Sequence, residues 1–427
     1  MKCDRRAFLK ASAVLGAGAV LGGAGTSRLT PAADAATPLP APDASGIEHV
    51  VVVMMENRSF DHYLGWLPGA DGRQAGLGYV DRYGVRHETH RLTTYTGCGY
   101  ADPDHSYEGG RIELDGGACD GWLKAGLNDE LAIGYYTQDD LGFLGRAAPA
   151  WTVCDRYFSA VMAETYPNRF YMHAAQTDRL HNSVDRCTLP TIWDRLASAG
   201  LTGRYYFGDV PFTALWYDKY LDISAPVTEF FNDAATGRLP AVSFVDPRFE
   251  DEASGTSGDD HPHADIRAGE AFLAKVYAAV TSSPNWANTL LVVNYDEWGG
   301  FFDHVAPGTA PDVSSTTALR GFRVPALVIS PRARRGHVAH GTYDHTSVLR
   351  AIEWRWGLPP LTPRDAHARN LAEVLDFETP PTLDAPSVAV PAFVPTPPCE
   401  VTGLGAEAGE WSDLKKLALS LHWSLPS

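Results

Sequence analysis

The chain has 427 residues, of which 44% are hydrophobic and 20% charged, and its formal net charge is −17 at pH 7. This composition is typical of a water-soluble globular protein with a large hydrophobic core. The acidic balance argues against nucleic acid as a partner, and it gives no long-range attraction to anionic lipid surfaces. An anionic ligand would therefore need a local cation at its binding site.

The first 35 residues predict an export signal. Residues 4–10 read DRRAFLK, a twin-arginine pattern, residues 11–25 form a weakly apolar core, and residues 33–35 read ADA, a cleavage-site pattern. We therefore predict a signal peptide over 1–35, the twin-arginine translocase as partner during export, and a periplasmic or extracellular location. The apolar run is short and interrupted by small residues, so we predict no stable membrane span.

Strand-like and helical patterns alternate along the rest of the chain. Strands are predicted at residues 50–55, 202–207, 240–245, 289–295 and 324–330. Helices are predicted at residues 189–199, 266–281 and 346–356, the last capped by Thr346 or Ser347. This alternation predicts an α/β fold, a three-layer α/β/α sandwich around a central, mostly parallel sheet.

The predicted elements divide the chain into three parts. After the signal peptide, one domain is expected over residues 46–375, and its residues 64–145 read as a long irregular insertion of the kind that shapes binding clefts. Residues 376–427 are expected to form a Pro-rich tail with a short helix.

Export would permit disulfides, but the cysteines do not fix their pairing. Removal of the signal would leave an odd number, so at least one thiol stays unpaired within the chain. Proximity favours Cys98–Cys119 and Cys154–Cys187, although the sequence leaves the connectivity open. No C-x-x-C pair is present, which argues against a thiolate metal site.

Two predicted strands are each followed directly by oxygen-bearing side chains. Glu56 and Asn57 follow the first strand, and Asp296 and Glu297 follow the strand at 289–295. Sheets of this class bind ligands at the carboxyl ends of their strands, and carboxylate and amide oxygens are ligands for hard cations. The sequence therefore predicts a divalent metal site, with calcium, zinc, magnesium and manganese all possible.

A candidate nucleophile lies in residues 164–169, which read ETYPNR. The spacing of its hydroxyl, proline and arginine resembles the C/S-x-P-x-R motif of sulfatases. Thr165 cannot be oxidised to the formylglycine that sulfatases need, which disfavours sulfatase activity. A bound divalent metal can deprotonate a threonine hydroxyl and make it a nucleophile. An ordinary capped turn would also explain these residues.

Three further clusters combine acids with histidine. Residues 102–105 read DPDH, residues 259–265 read DDHPHAD, and residues 343–346 read YDHT. A solvated loop would explain the first, helix capping the second, and a capping or core-edge histidine the third. Their candidate site histidines are His105, His261 and His345.

The order of these motifs resembles the bacterial phosphoesterase family of non-specific phospholipase C and acid phosphatase, in the alkaline-phosphatase-like superfamily. The most specific segments are ENRSFDH at 56–62 and DEWGG at 296–300. The resemblance implies a metal held by Glu56, Asn57, Thr165, Asp296 and Glu297, with Thr165 also the nucleophile.

The resemblance implies roles for further residues. It implies binding of phosphoryl oxygens by Asn168, His105 and His261. It also implies that His304 and His345 assist the leaving group or support the site. Trp298 stands where many members have histidine.

The function implied by the resemblance is that of a secreted, metal-dependent phosphodiesterase of the phospholipase C type. It would cleave the glycerol–phosphate bond of phospholipids through a phosphothreonine, because members with a Thr nucleophile are the phospholipase-like ones. The nearest alternative is an acid phosphatase acting on small phosphate esters with the same core. Two others are a hydrolase of sulfate or phosphonate esters and a non-catalytic secreted binding protein.

Overall fold

The protein is built around a central sheet of eight strands. Its structure is a computed structural model that describes residues 38–389, 391, 397–399 and 410–426. The predicted signal peptide at 1–35 lies outside the described residues. The strands are β1 His49–Met55, β2 Gly78–Val80, β3 Arg86–Glu88, β4 His90–Arg91, β5 Gly134–Tyr135, β6 Thr152–Cys154, β7 Tyr157–Phe158, β8 Gly203–Phe207, β9 Ser224–Pro226, β10 Val242–Val245, β11 Thr289–Tyr295, β12 Ala326–Ile329, β13 His337–Ala339 and β14 Tyr343–Asp344.

The helices follow the strands in alternation over most of the chain. The α-helices are α1 Phe60–Leu64, α2 Tyr107–Leu114, α3 Leu144–Ala147, α4 Thr165–Ala174, α5 Ile192–Ser198, α6 Val227–Ala235, α7 Ile266–Thr281, α8 His345–Trp356, α9 Pro363–Ala366 and α10 Glu410–Ser420. Short 3₁₀ helices occupy Pro42–Ser45, Asp115–Gly117, Glu130–Ile133, Gln138–Asp140, Phe212–Trp216, Leu221–Ile223, Glu252–Ser254, Trp286–Asn288 and Leu371–Val374.

The large sheet has the strand order β13-β6-β12-β11-β1-β10-β8-β9. Its pairings are parallel except those of β12, which runs antiparallel to both neighbours. Strands β1 and β11 at its centre are almost entirely buried, as their continuous apolar sequences predict. The predicted α/β/α sandwich with a mostly parallel sheet is confirmed.

The flanking helices pack in two groups, α4 with α5 and α8, and α6 with α7. The prediction for 266–281 coincides with α7. The predicted cap of α8 is wrong, because Asp344 is the cap and accepts a hydrogen bond from the backbone N–H of Thr346. An Asp carboxylate accepts such bonds as well as a hydroxyl does, and here it starts the helix one residue earlier.

The cysteine pairings favoured by proximity are wrong. Cys98 is bonded to Cys399 across a separation of 301 residues, and Cys119, Cys154 and Cys187 are buried free thiols. The tail folds back onto the domain, so distance along the chain is a poor guide to distance in space. Among the described residues, every helix falls short of the length and apolar character that crossing a bilayer requires.

Candidate active site

The register of the two central strands places Glu56 and Asp296 side by side. Met55 pairs with Tyr295 at the end of the parallel β1–β11 ladder, and the backbone N–H of Asp296 donates to the carbonyl of Met55. The next residue of each strand therefore leaves the same edge of the sheet. Both carboxylates are fully buried.

Asn57 connects this pair to the candidate nucleophile. Its φ is +61°, a left-handed conformation that Asn tolerates better than most residues. Its backbone N–H donates to Oδ1 of Asp296 at 3.2 Å, and its side-chain Oδ1 accepts from the Thr165 hydroxyl at 3.4 Å. Gly299 approaches so closely that a Cβ there would lie 2.1 Å from the Asn57 carbonyl oxygen, which explains glycine at that position.

Thr165 is the first residue of α4 and is 1% exposed. Pro167 fits in the first turn of this helix, because the N–H groups of a first turn have no partner within the helix and the missing N–H of proline costs no hydrogen bond. The Asn168 amide donates to the carbonyls of Val161, Ala163 and Glu164, and its oxygen accepts from the N–H of Val161. Asn168 therefore fixes the turn that presents Thr165, and its phosphoryl-binding role stays a prediction.

Arg169 lies one turn after Thr165 and joins three strand ends. Its guanidinium is 3.3 Å from Glu56, 3.0 Å from Asp296 and 3.3 Å from Asp246, which follows β10. Burial alone would lower the pKa of Arg169, but the three carboxylates outweigh burial and raise it. Arg169 therefore remains charged and holds the carboxylates in place.

His105 faces the same network from the insertion. Its Nδ1 lies 2.7 Å from the carbonyl oxygen of Pro103, which can only accept, so Nδ1 carries a proton. In a neutral ring Nε2 then carries a lone pair. This Nε2 lies 3.2 Å from the Asn57 amide nitrogen and 3.7 Å from the Glu297 carboxylate.

His261 lies next to His105, with ring centroids 6.2 Å apart. Its Nε2 is 3.6 Å from the Asp102 carboxylate and 4.0 Å from that of Glu252. Burial lowers the pKa of His261 well below its usual value, and the neighbouring His105, His263 and Arg58 lower it further. The ring is therefore neutral in the folded protein at pH 7.

His345 contacts the network through the backbone of Asp296. Its Nε2 is 2.7 Å from the carbonyl oxygen of Asp296, and its Nδ1 is 3.3 Å from the Tyr157 hydroxyl. Burial lowers the pKa of His345 to about 4, so the ring is neutral. This position fits the predicted supporting role, in which His345 anchors the end of β11.

His304 belongs to a separate buried ion-pair network. Its Nδ1 and Nε2 contact the carboxylates of Asp61 and Asp71 at 2.5 and 3.2 Å. Asp61 and Asp303 also pair with Arg323. Arg323 and the His304 ring balance the charge of Asp61 and Asp303, so the group of Asp61, Asp303 and His304 is better explained as an ion-pair network than as a metal site.

A second group of carboxylates lies close to Glu56. One oxygen each from Glu56, Glu252 and Asp259 lie within 4.8 Å of one another, and all three residues are buried. Burial raises the pKa of Glu56 well above its usual value and that of Asp259 to about 8. Burial also raises the pKa of Asp296 to about 6 despite Arg169.

These carboxylates fit a divalent cation. Apart from the ion pair of Arg169 with Glu56, neither oxygen of Glu56 and only one oxygen of Asp259 accepts a hydrogen bond from the described residues, although all are buried. Clustered buried carboxylates are costly unless protons or cations neutralise them. A hard cation supplies that charge and accepts oxygen ligands. The acids around Glu56 are therefore suited to hold one.

The structure brings most of the predicted site residues into one connected network. Its members are Glu56, Asn57, His105, Thr165, Asp296 and Glu297, with His261 beside it. Sequence reasoning missed Arg169, Asp246 and Glu252 as members. Asp246 was detectable, because it follows a predicted strand as Glu56 does, and Arg169 lies at helical spacing from Thr165. No sequence signal indicates Glu252, which begins the short 3₁₀ helix Glu252–Ser254.

Comparisons with known proteins identify the class. The model of the phosphoesterase family matches residues 47–359. The chain is 32% identical over 468 residues to phospholipase C B of Mycobacterium tuberculosis (strain CDC 1551 / Oshkosh), covering 91% of this chain and 88% of that protein. It is 29% identical over 415 residues to non-specific phospholipase C6 of Arabidopsis thaliana, covering 86% and 79%. The solved structure of a protein in the alkaline phosphatase superfamily from Vibrio parahaemolyticus is 10% identical, covers 76% of this chain and 70% of that one, and has a TM-score of 0.38.

The chain belongs to the phosphoesterase family, as the motifs in the sequence predicted. It is a phosphoric ester hydrolase. The fold places the carboxylates and the Thr165 hydroxyl at the carboxyl edge of the sheet, where α/β proteins bind their ligands.

Proposed function

We propose that the protein is a metal-dependent phosphodiesterase of the phospholipase C type, with Thr165 as nucleophile. The observation that carries the proposal is the hydroxyl of Thr165, which lies 3.4 Å from Asn57 within a buried network of carboxylates. The names of relatives support the phospholipid substrate, since the two reported above are phospholipases C. The bond cleaved would be the one between glycerol and phosphate.

We propose that the cation is held by Glu56, Asn57, Thr165, Asp296 and Glu297, with Glu252 and Asp259 contributing negative charge beside Glu56. When bound, it would lower the pKa of the threonine hydroxyl and offset charge on the phosphoryl oxygens. Arg169 keeps Glu56 and Asp296 oriented through its two contacts with them. The position of Thr165 at the start of α4 adds the positive end of a helix dipole.

The residues of the chain then perform the substitution at phosphorus. The oxygen of Thr165 attacks phosphorus in line, the bond from phosphorus to the glycerol oxygen breaks, and a phosphothreonine remains. The proton released by Thr165 passes to the glycerol oxygen, which leaves as diacylglycerol. Water then cleaves the bond between phosphorus and the Thr165 oxygen, which restores the hydroxyl and releases the phosphorylated headgroup. His261, neutral and buried, can bind a phosphoryl oxygen.

His105 has a more specific role than general phosphoryl binding. Its Nδ1 proton is committed to the Pro103 carbonyl, so Nε2 of the neutral ring can accept a proton but cannot donate one. From Nε2, only the protonated ring could donate to a phosphoryl oxygen. His105 therefore suits a proton-accepting step during attack.

Thr165→Ala and Thr165→Ser test the nucleophile. We expect Thr165→Ala to abolish hydrolysis of phosphatidylcholine and of bis(4-nitrophenyl) phosphate, and Thr165→Ser to retain part of it, since serine keeps the hydroxyl. Full activity of Thr165→Ala would refute the assignment. Faster hydrolysis of 4-nitrophenyl phosphate than of either diester would favour the acid phosphatase alternative.

We further propose export through the twin-arginine pathway, which the pattern at residues 4–10 supports. Changing Arg5 and Arg6 together to Lys should hold the protein in the cytoplasm. Its appearance in the culture medium or periplasm at the unchanged level would contradict this route.

A further inference from the structure

The C-terminal helix α10 packs against the site through Trp411. The Trp411 ring stacks face to face on Phe249, with centroids 3.9 Å apart and an interplanar angle of 4°. The Trp411 ring also forms a T-shaped contact with Tyr166, the residue after the candidate nucleophile, with centroids 5.3 Å apart. Trp411 is 3% exposed, so α10 is docked onto the domain.

The same two rings cover Arg169. The guanidinium carbon lies 4.5 Å from the centroid of Phe249 and 5.5 Å from that of Trp411. A cation next to an aromatic ring is attracted to it electrostatically. The rings also exclude water, which strengthens the ion pairs of Arg169. The contacts that hold Glu56 and Asp296 are therefore screened from solvent by a residue of the tail.

Two further contacts hold the tail in this position. Nζ of Lys415 lies 2.6 and 2.7 Å from the two carboxylate oxygens of Glu250, next to Phe249. The backbone N–H of Cys399 donates to the carbonyl of Ser254 at 2.6 Å, and Cys399 is bonded to Cys98. The tail is thus fastened to the loop of Glu252 and to the segment leading to His105.

We propose that Trp411 is a positioning residue of the active site. Through its stack on Phe249 it fixes the Arg169 guanidinium, and Arg169 in turn fixes the orientation of Glu56 and Asp296. The C-terminal helix is therefore part of the catalytic unit, although it lies more than 100 residues after Asp296 in the chain. The proposal rests on the proposed function, because it assigns Trp411 to the orientation of the cation ligands.

The test compares Trp411→Leu with Trp423→Leu in the full mature chain. Trp423 is a matched control, since it is 4% exposed, lies in the same segment and packs on Phe207 at 6.5 Å. We expect Trp411→Leu to lower kcat for bis(4-nitrophenyl) phosphate about 10–100-fold, as loss of a residue that orients metal ligands does. The Mn²⁺ concentration giving half of the maximal bound metal should rise by a similar factor, with KM nearly unchanged.

The control, Trp423→Leu, should have a lower Tm but an unchanged kcat and unchanged Mn²⁺ binding. Trp411→Phe, which preserves an aromatic stack, should recover activity to within about threefold of wild type. If Trp411→Leu does not fold, Lys415→Ala, which loosens α10 only at its surface ion pair, should still raise the half-saturating Mn²⁺ concentration.

The outcomes separate the two proposals. Equal kcat and equal Mn²⁺ binding in Trp411→Leu and Trp423→Leu at matched Tm would overturn the role of Trp411 and leave the proposed function standing. Unchanged Mn²⁺ binding in Lys415→Ala would overturn it when Trp411→Leu cannot be measured. A wild-type protein that binds no Mn²⁺ and hydrolyses no diester would refute the proposed function, and the proposal about Trp411 with it.

Discussion

Nε of Arg169 lies 3.0 Å from Oδ2 of Asp296, so the helix that presents Thr165 is bonded to the end of the central strand β11. Arg169, which lies on the same helix as the proposed nucleophile Thr165, thus contacts two of the proposed cation ligands, Glu56 and Asp296. Arg169 is 2% exposed, and its partners Glu56 and Asp296 are fully buried. Desolvation offsets much of the attraction in a buried ion pair, but removing one partner is costly because it leaves a buried charge uncompensated.

Arg169→Met should therefore destabilise the fold strongly. It leaves the carboxylates of Glu56, Asp246 and Asp296 without their shared cation, and the loss of one partner from a buried pair costs about 3–5 kcal/mol. Urea unfolding at pH 7 measures the difference. Arg86→Met is the control, because its pair with Glu88 is exposed and such pairs contribute about 0–1 kcal/mol. Equal losses in the two variants would show that the Arg169 network is not what holds the site.

The sequence was sufficient to predict how the sheet presents the site. Glu56 and Asp296 each follow an uninterrupted apolar run, and the carboxyl ends of parallel strands share one edge, so their proximity follows from the pattern. The in-register pairing of Met55 with Tyr295 realises that expectation. The coincidence of α7 with its prediction has the same origin, since a long amphipathic period is a strong signal.

Contacts that depend on loop paths could not be predicted in this way. Glu252 and Asp259 approach Glu56 from the loop after β10, whose course is set by tertiary packing and not by periodicity. Trp411 and Cys399 reach the domain because the tail folds back, and separation along the chain gives no measure of that. Trp298 donates to the buried Glu113 at 2.7 Å, a pairing that neither residue indicates alone.

Loss of a cation ligand should reduce bound metal before it affects the fold. We expect Asp296→Asn to lower Mn²⁺ affinity by at least about tenfold and Glu252→Gln by less, because Glu252 adds charge beside Glu56 without being a proposed ligand. Elemental analysis after dialysis measures bound metal per chain. Asp413→Asn, on the exposed side of α10, should leave it unchanged. Unchanged metal content in Asp296→Asn would remove Asp296 from the ligand set.

His304 should make stability fall as pH rises toward 9. Burial alone would lower its pKa, but its bonds to Asp61 and Asp71 raise the pKa of His304 to about 9. A raised folded-state pKa gives stability that is fully present below the unfolded value of about 6.5 and is lost as pH rises through about 9. The linked free energy is on the order of 3 kcal/mol.

Glu270 and Glu353, with pKa values raised to about 8 and 9, also make stability fall over the same pH range. The contribution of His304 is therefore measured as the difference in unfolding free energy between wild type and His304→Gln. We expect the gap in unfolding free energy between the two proteins to narrow from pH 6 to pH 9.5. His367→Gln, at an exposed position, should leave the wild-type profile unchanged. A constant gap across the range would contradict a charged His304.

The Cys98–Cys399 bond should stabilise both the fold and the site. It closes a loop of 301 residues, and a native disulfide typically contributes about 2–5 kcal/mol by limiting the unfolded chain. Cys399→Ser should therefore lower Tm, and because the tail carries Trp411, it should also raise the half-saturating Mn²⁺ concentration. Cys187→Ser is the control, since Cys187 is a buried free thiol that closes no loop. A Tm loss in Cys399→Ser with unchanged Mn²⁺ binding would mean that α10 docks without its covalent anchor, through Trp411 and Lys415 alone.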